Sequence, residues 1–246
     1  MASRLILDFG NTALKAAVFS DNAVSRQTVI GTADAKTIFS FCGSDRISAA
    51  IIGSVIAYPA SLVQDLRKFF PVIELNSSTS LPVNNNYESK ETLGYDRIAA
   101  AVGAWQLFPG SPVLAIVAGT CITYNIVDAK GNFCGGAISP GFHMRLRAMH
   151  EYTQRLPLIP LEGPHPLTGN STETSLRAGA LHATIAEAKE MIRQYAEAYP
   201  GLKTAISGGD GTILADGLKN GIFARPNLVM EGLNRILEHH AENNLL

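Results

Sequence analysis

The chain has 246 residues and a mass of 26.2 kDa, enough for one or two domains with a large buried core. Apolar residues make up 46% of the chain and charged residues 17%, a composition that excludes extended disorder and collagen-like repeats. The formal net charge is −1, so there is no basic excess to bind a phosphate backbone. We therefore expect no nucleic acid among the partners.

The cysteines and the apolar runs indicate the compartment. Cys42, Cys121 and Cys134 are odd in number and lack zinc-ribbon spacing, so we expect reduced, mostly buried thiols. The apolar run at residues 5–7 is too short for a signal-peptide core. No stretch approaches the roughly 18 apolar residues of a transmembrane helix. The sequence predicts a soluble, cytoplasmic protein without a membrane partner.

The first half of the chain opens with a predicted β-hairpin. An apolar strand at residues 5–7 ends at Asp8-Phe9-Gly10-Asn11-Thr12, and apolar residues return at 13–19. Strands at 49–56 and 72–75 flank a helix at 61–70. Residues 76–86 read as a loop, and an Ala-rich helix over 92–108 stops at the Pro-Gly-Ser-Pro run 109–112.

The second half repeats the opening pattern. Strands at 113–117 and 122–127 enclose a Gly119-Thr120 turn, and a turn at 128–132 leads into a strand at 133–138. A long helix at 175–199, a strand at 203–206, a glycine-rich turn at 207–211 and a final helix at 228–239 follow. The pattern predicts an α/β fold of two similar halves that share a cleft, residues 1–110 and 111–246.

The first hairpin tip carries groups suited to phosphate. Gly10 lets backbone N–H groups approach an anion, and Asn11 and Thr12 add side-chain donors. Lys15 adds positive charge, and the Asp8 carboxylate suits Mg²⁺, usually through water. The Gly-x4-Gly-Lys spacing of a Walker A loop is absent. A plain Asn/Gly turn that stabilises a hairpin is the alternative reading.

Further glycine-containing segments have the same two readings. Gly119-Thr120 and Gly208-Gly209 permit close approach of a phosphate or a base, or are simple turns. At the start of the Ala-rich helix, Asp96 is either an N-terminal helix acid or a general base, with Arg97 as an anion clamp. The run 135–141, Gly-Gly-Ala-Ile-Ser-Pro-Gly, reads as a rigid loop of architectural or binding character.

Taken in order, these motifs resemble one family. They are Leu7-Asp8-x-Gly10-Asn11-Thr12-x-x-Lys15, Gly94-x-Asp96-Arg97, Gly119-Thr120, Gly135-Gly136-x-Ile138-x-Pro140-Gly141 and Ser207-Gly208-Gly209. Their order and spacing are similar to those of type III pantothenate kinase, over residues 5–235. That family belongs to the acetate kinase, sugar kinase, Hsp70 and actin superfamily. The resemblance implies two ribonuclease-H-like (actin-like ATPase) domains around a central nucleotide cleft.

The resemblance also implies an activity and a set of site residues. The activity is ATP-dependent phosphorylation of pantothenate, the first step of coenzyme A biosynthesis, with Mg²⁺ as cofactor and a homodimer as the assembly. Asp96 would accept the hydroxyl proton, and Asp8 would hold Mg²⁺ through water. The ATP and phosphate site would comprise Asp8, Gly10, Asn11, Thr12, Lys15, Gly119, Thr120, Gly208 and Gly209. The pantothenate site would comprise Tyr87, Gly94, Tyr95, Asp96, Arg97 and Thr172.

Two positions depart from the family pattern. Val117 stands where the family often has an aspartate that binds a monovalent cation, so we expect a weakened K⁺ or NH₄⁺ site. Asn125 stands where an acidic residue is common, and offers a cation one neutral oxygen. The departures leave two alternatives open: a non-catalytic regulatory or binding homologue, and a kinase for another small hydroxylated substrate.

Overall fold

A computed structural model describes residues 3–218 and 222–246, which contain two β-sheets with helices between and outside them. The first sheet contains β1 (Ser3–Phe9), β2 (Leu14–Ser20), β3 (Ala23–Ile30), β4 (Ile47–Ser54) and β5 (Val72–Glu74), in the order β3-β2-β1-β4-β5. β1 is antiparallel to β2 and parallel to β4, and β4 is parallel to β5. The carboxyl ends of β1, β4 and β5 therefore meet at one edge.

The second sheet repeats this arrangement. It contains β6 (Asn84–Asn85), β7 (Val113–Ala118), β8 (Cys121–Val127), β9 (Asn132–Pro140), β10 (Lys203–Ser207) and β11 (Ile222–Ala224), in the order β11-β10-β7-β8-β9-β6. β7 is antiparallel to β8 and parallel to β10, as β1 is to β2 and β4. The predicted hairpin repeat is confirmed, and both hairpin tips lie at the carboxyl end of a central strand.

Two helices lie between the sheets, and the others cover the outer faces. The inner pair is α3 (Tyr95–Leu107) and α8 (Leu228–Glu242), which share a buried core with side chains of both sheets. The outer face of the first sheet packs against α1 (Ala35–Cys42) and α2 (Ala60–Leu66). The outer face of the second sheet packs against α4 (Phe142–Glu151), α5 (Thr172–Ala178), α6 (Thr184–Ala198) and α7 (Gly211–Leu218).

α3 and α8 cross in close backbone contact. A Cβ atom on Gly103 would lie 2.4 Å from the carbonyl oxygen of Leu228, and one on Gly232 would lie 1.8 Å from that of Ala99. No side chain fits at either position, so the two helices approach through glycine. The contact fixes how closely α3, which carries Asp96 in its first turn, approaches α8.

Several predicted boundaries change. The helix predicted over 92–108 begins at Tyr95, with Gly94 as its cap residue and a 3₁₀ turn at Lys90–Thr92 before it. The helix predicted over 175–199 starts earlier, at Thr172, because the Ser171 side chain accepts a hydrogen bond from the Thr174 N–H. Between α5 and α6 it runs through a π-helical turn, Gly179–Ala183.

Some elements differ from the sequence-based expectation. The helix predicted over 61–70 ends at Leu66, and the predicted loop 76–86 contains β6, which pairs with β9. The prediction of a loop over residues 135–141 is wrong, because residues 135–140 are the end of β9. The sequence analysis also missed β3, β11, α1, α4 and α7.

Apart from β6, the strands of the first sheet come before residues 109–112 and those of the second sheet come after them. The placement of a domain boundary at these residues stays a prediction. β6 comes before that boundary yet joins the second sheet, and α8 comes after it yet packs against β1 and β4.

The cysteine and membrane expectations can be compared with the structure. The cysteines are free; Cys42 is buried and Cys121 half-buried, but Cys134 is exposed, so the expectation of buried thiols is wrong for Cys134. Among the residues described, none of the helices combines the length and apolar character needed to span a bilayer.

Candidate active site

The first hairpin places Asp8 and Lys15 side by side. They are directly opposite each other in the β1–β2 pair. The Gly10 N–H donates to the carbonyl oxygen of Ala13 at 3.1 Å, which closes a tight turn and leaves Asn11 and Thr12 exposed at its tip. A carboxylate, an ammonium group and free polar donors therefore occupy one end of the strand pair.

The second hairpin tip faces the first. The Gly119 N–H donates to the carbonyl oxygen of Cys121 at 2.9 Å, and Thr120 is exposed. The hydroxyl oxygens of Thr12 and Thr120 are 3.2 Å apart. The fold thus brings together two tips that the sequence analysis assigned separately to phosphate binding.

The glycine-rich turn after β10 packs against the second hairpin. Gly208 has φ +98°, and a Cβ atom there would lie 2.0 Å from the carbonyl oxygen of Ala118. The Asp210 N–H donates to the same oxygen at 3.0 Å. Only glycine satisfies both the positive φ and this approach. The neighbouring Gly209 has no described heavy atom within 4 Å of such a Cβ, so its backbone borders open space.

A cavity of about 420 Å³ unites some of these residues. Lys15, Gly208 and Gly209, which the sequence analysis proposed for nucleotide binding, are among the residues that line it. Its wall also includes residues that sequence reasoning missed, among them Gln27, Thr28 and Val29 of β3 and Pro226 and Asn227 before α8. β3 is a largely exposed edge strand without clear hydrophobic alternation, so no sequence signal marked it.

Asp8 and Asp96 belong to one electrostatic environment. Burial raises the pKa of Asp8 to about 6, with Lys15 lowering it and the charge of Asp96 raising it. Burial also raises the pKa of Asp96, against the hydrogen bond from the Arg97 N–H, which is 2.9 Å from its Oδ1 atom, and against the Arg97 charge. Two carboxylates with raised pKa values, close enough for the charge of Asp96 to act on Asp8, are typical of a catalytic site.

The Asp8 carboxylate fits a magnesium ion held jointly with phosphate oxygens and water. It is half-buried at the end of β1, beside the exposed hairpin tip. Mg²⁺ in phosphate-transfer sites commonly uses one or two carboxylates plus the phosphates. Within the described residues, no group of three or more His, Cys, Asp and Glu side chains converges on a point.

Arg97 is buried on the inner side of α3. Its Nε atom donates to Asn125 Oδ1 at 2.8 Å, and its Nη1 atom donates to Tyr87 Oη at 3.4 Å. The guanidinium carbon lies 5.5 Å from the centre of the Tyr87 ring, in cation–π geometry. The predicted substrate residues Tyr87, Asp96 and Arg97 therefore form one contact network, on the side of α3 that faces the second sheet.

Asn125, the second departure from the family pattern, contacts Arg97. Its Oδ1 atom, the neutral oxygen that the sequence analysis noted, accepts the Arg97 hydrogen bond in the buried interior. Val117 is half-buried and packs against the core between the sheets, with no oxygen in its side chain. A weakened K⁺ or NH₄⁺ site stays a prediction.

Two other predicted substrate residues lie apart from this network. Tyr95 lines a second cavity of about 410 Å³ at the carboxyl ends of β4 and β5, with Tyr58 and Glu74. There Tyr58 donates to Glu74 at 2.7 Å. Thr172 is exposed as the first residue of α5 on the outer face of the second sheet. Their assignment to the substrate site stays a prediction.

The fold class follows from the repeated sheet topology and from similar structures. A ROK family glucokinase from Streptomyces griseus, in complex with glucose and AMPPNP, superposes with a TM-score of 0.57 at 14% identity, over 98% of this chain and 100% of that one. The activator of the 2-hydroxyisocaproyl-CoA dehydratase from Clostridium difficile, with bound ADPNP, gives 0.55 at 10%, over 99% and 98%. The protein has the actin-like ATPase fold of two ribonuclease-H-like domains, as predicted.

Sequence relatives identify the family within that fold. The family model for type III pantothenate kinase matches residues 4–194. A type III pantothenate kinase of Bacteroides fragilis (strain YCH46) is 43% identical over 96% of this chain and 98% of its own length. That of Christiangramia forsetii is 38% identical over 95% and 97%. The chain belongs to the type III pantothenate kinase family, which confirms the resemblance drawn from its motifs.

Proposed function

We propose that this protein transfers the γ-phosphoryl group of ATP to the primary hydroxyl group of pantothenate, forming 4'-phosphopantothenate and ADP. Family membership over nearly the whole chain supports this reaction. The observation that carries it is the meeting of the two hairpin tips, where the Thr12 and Thr120 hydroxyl oxygens are 3.2 Å apart beside the Asp8–Lys15 pair, with Asp96 near enough for its charge to raise the pKa of Asp8. A phosphoryl-transfer site needs one carboxylate for the metal and one for the proton of the attacking hydroxyl.

Asp96 is the proton acceptor in this proposal. The hydroxyl oxygen of pantothenate forms a bond to the γ-phosphorus while the bond to the bridging oxygen of ADP breaks, and the hydroxyl proton passes to Asp96. Burial raises the pKa of Asp96, which makes its carboxylate a stronger base than an exposed aspartate. The hydrogen bond from the Arg97 N–H holds the carboxylate in place.

The two hairpin tips and the glycine-rich turn bind the nucleotide. Asn11, Thr12, Lys15 and Thr120 offer donors to the phosphates from both sides of the cleft. Gly10 and Gly119, whose own N–H groups close the turns, let the phosphates approach the tips closely. Gly208 and Gly209 border the 420 Å³ cavity, which we assign to the nucleoside part of ATP. A Mg²⁺ ion held by Asp8 would neutralise charge on the transferred group.

The acceptor site is assigned to residues around the start of α3. Gly94, Asp96 and Arg97 are assigned to it from that helix, and Tyr87 covers the Arg97 guanidinium. Tyr95, which lines the cavity beside Tyr58 and Glu74, is assigned to the substrate on the family resemblance. Arg97 is the anion clamp for the pantothenate carboxylate. Thr172 is assigned to the same substrate on the family resemblance. Activity is proposed to depend little on K⁺ or NH₄⁺, the assembly to be a homodimer, and the compartment to be the cytoplasm.

A coupled ADP-release assay across a panel of small alcohols, with pantothenate included, tests the reaction. We expect ADP release with pantothenate and Mg²⁺-ATP, and phosphate on its primary hydroxyl by mass spectrometry. No turnover with any alcohol would favour a non-catalytic homologue, and turnover with a different alcohol would favour another small-molecule kinase. The comparisons support neither alternative.

A further inference from the structure

The Arg97 guanidinium is enclosed but incompletely paired. The residue is only 4% exposed. Its Nε and Nη1 atoms donate to Asn125 and Tyr87, but among the described residues its buried Nη2 atom has no hydrogen-bond partner. A buried charged donor left unpaired is costly, so this nitrogen requires an acceptor from outside the described contacts.

Asn125 is held in a single orientation by its own hydrogen bonds. Its side chain is fully buried on β8, and its Nδ2 atom donates to the carbonyl oxygen of Ala115 at 3.2 Å and to Thr123 Oγ1 at 3.0 Å. A flip of the amide would point its nitrogen at the Arg97 Nε donor and its oxygen at the Ala115 carbonyl. The sheet therefore fixes Oδ1 toward Arg97.

We propose that Asn125 is the positioning residue for Arg97, and that it holds the guanidinium so that Nη2 receives the carboxylate of the acceptor substrate. This inference rests on the proposed function and deepens it. Arg97 has few other restraints in the described contacts: a long Nη1 hydrogen bond and the face of a tyrosine ring. The 2.8 Å bond to Asn125 is the short, directional one.

The Tyr87 ring lies against the Arg97 guanidinium. The half-buried ring packs over the guanidinium and over Phe133, with 6.0 Å between the two ring centres. The substrate carboxylate is then left the Nη2 atom, which neither Tyr87 nor Asn125 holds. Asn125 thus acts on substrate affinity through Arg97 and has no contact of its own with the reacting atoms.

Asn125→Leu tests the positioning role, because leucine branches at the same carbon as asparagine but has no oxygen to accept the Arg97 hydrogen bond. We expect the KM for pantothenate to rise by about 10- to 100-fold, the size of one lost hydrogen bond to a charged group. The kcat and the KM for ATP should stay within about threefold. For the alcohol analogue, in which a hydroxymethyl group replaces the carboxylate, the KM should also stay within about threefold.

Three further variants separate positioning from general damage. Asn125→Asp keeps an oxygen for Arg97 Nε and should restore the pantothenate KM. Thr123→Val removes a hydroxyl from the same buried cluster and leaves Asn125 Oδ1 in place, so it should lower stability without moving that KM. If Asn125→Leu does not fold, Asn125→Thr serves instead, because its hydroxyl is too short to reach Arg97.

Calorimetric titration of each variant with pantothenate, without ATP, supplies a readout independent of turnover. Wild-type affinity in Asn125→Leu or Asn125→Thr would overturn the inference. So would an equal loss for pantothenate and its alcohol analogue, or failure of Asn125→Asp to restore binding. A wild-type protein that phosphorylates no pantothenate would refute the proposed function itself, and the inference with it.

Discussion

The hydroxyl oxygen of Thr12 lies 3.2 Å from that of Thr120, although 108 residues separate them in the chain. Each threonine occupies the tip of a hairpin at the carboxyl end of a central strand. Both hydroxyls can therefore reach a single phosphate group placed between the tips. This contact brings the tips of the duplicated hairpins, from two halves of the chain, to one place.

Replacement of the proposed base should slow the reaction without unfolding the protein. We expect Asp96→Asn to lower kcat by about 10²–10⁴-fold, the usual contribution of general-base catalysis. The amide keeps an oxygen for the Arg97 N–H, so the start of α3 should persist. Steady-state kinetics by ADP release, with circular dichroism to verify folding, measure both.

The matched control for that variant is Asp65→Asn. Asp65 is a carboxylate on α2, which packs on the outer face of the first sheet, and it pairs with Lys68 at the surface. The Asp65→Asn variant should leave kcat unchanged. Full turnover in a folded Asp96→Asn protein would exclude Asp96 as the proton acceptor.

The stability of the ligand-free protein should fall as pH rises through the range in which Asp8 ionises. The folded state raises the pKa of Asp8 from 3.8 to about 6, so it binds the proton more tightly than the unfolded chain does. Between about pH 4 and 6 the free energy of unfolding should drop by on the order of 2 kcal/mol, and the cost persists above pH 6.

Asp8→Asn removes this pH-dependent cost. The variant should be more stable than the wild type at pH 8, and the difference should vanish below about pH 4. Urea denaturation at a series of pH values, without Mg²⁺ or nucleotide, gives the comparison. A difference that does not change with pH would show that Asp8 stays charged at no cost in the folded state.

The adjacent glycines of the third phosphate motif should respond differently to alanine. In Gly208→Ala, the alanine would have to adopt a φ of +98°, and its Cβ atom would lie 2.0 Å from the Ala118 carbonyl oxygen. We expect a loss of at least about 2 kcal/mol, or roughly 4–8 °C in Tm.

Gly209→Ala is the matched variant, because its Cβ atom meets no described heavy atom within 4 Å. Its Tm should stay close to that of the wild type. Its affinity for ATP should fall by about tenfold or more, as the new methyl group keeps the nucleotide from the backbone. Thermal melts and ATP titration measure the two quantities, and a Gly209→Ala protein with unchanged ATP affinity would remove this turn from the nucleotide site.

Activity should depend little on monovalent cations. A K⁺ site beside phosphates needs a carboxylate or several oxygens, and Val117 offers neither. Turnover in Na⁺ should therefore equal turnover in K⁺ at the same ionic strength. A rise of about tenfold with K⁺ at matched ionic strength would show that other oxygens replace the missing carboxylate.

Val117→Asp then tests for a gained K⁺ response, with Val117→Asn as the neutral control of similar size. Val117 is half-buried, so both variants should cost some stability. Only the aspartate variant should acquire K⁺-dependent turnover. Equal responses in both would indicate an effect of packing rather than of charge.

The sequence alone determined the hairpin repeat and the family, and it named candidate site residues that stay predictions. Local chemistry carries these signals, because apolar runs alternate with glycine and polar tips at both Asp8–Lys15 and Gly119–Thr120. The helix bounds that rest on hydrophobic periodicity, such as that of α8, were also close. Elements without such a pattern, such as the exposed edge strand β3, were missed.

Only the tertiary structure decided which distant residues meet. The Arg97–Asn125 hydrogen bond joins residues 28 positions apart, one on a helix and one on a strand, and no local pattern around Asn125 indicates Arg97 as its partner. The Thr12–Thr120 contact and the effect of the Asp96 charge on Asp8 likewise depend on how α3 and α8 set the two sheets against each other. Packing between separate elements fixes these distances, and no local pattern in the chain encodes them.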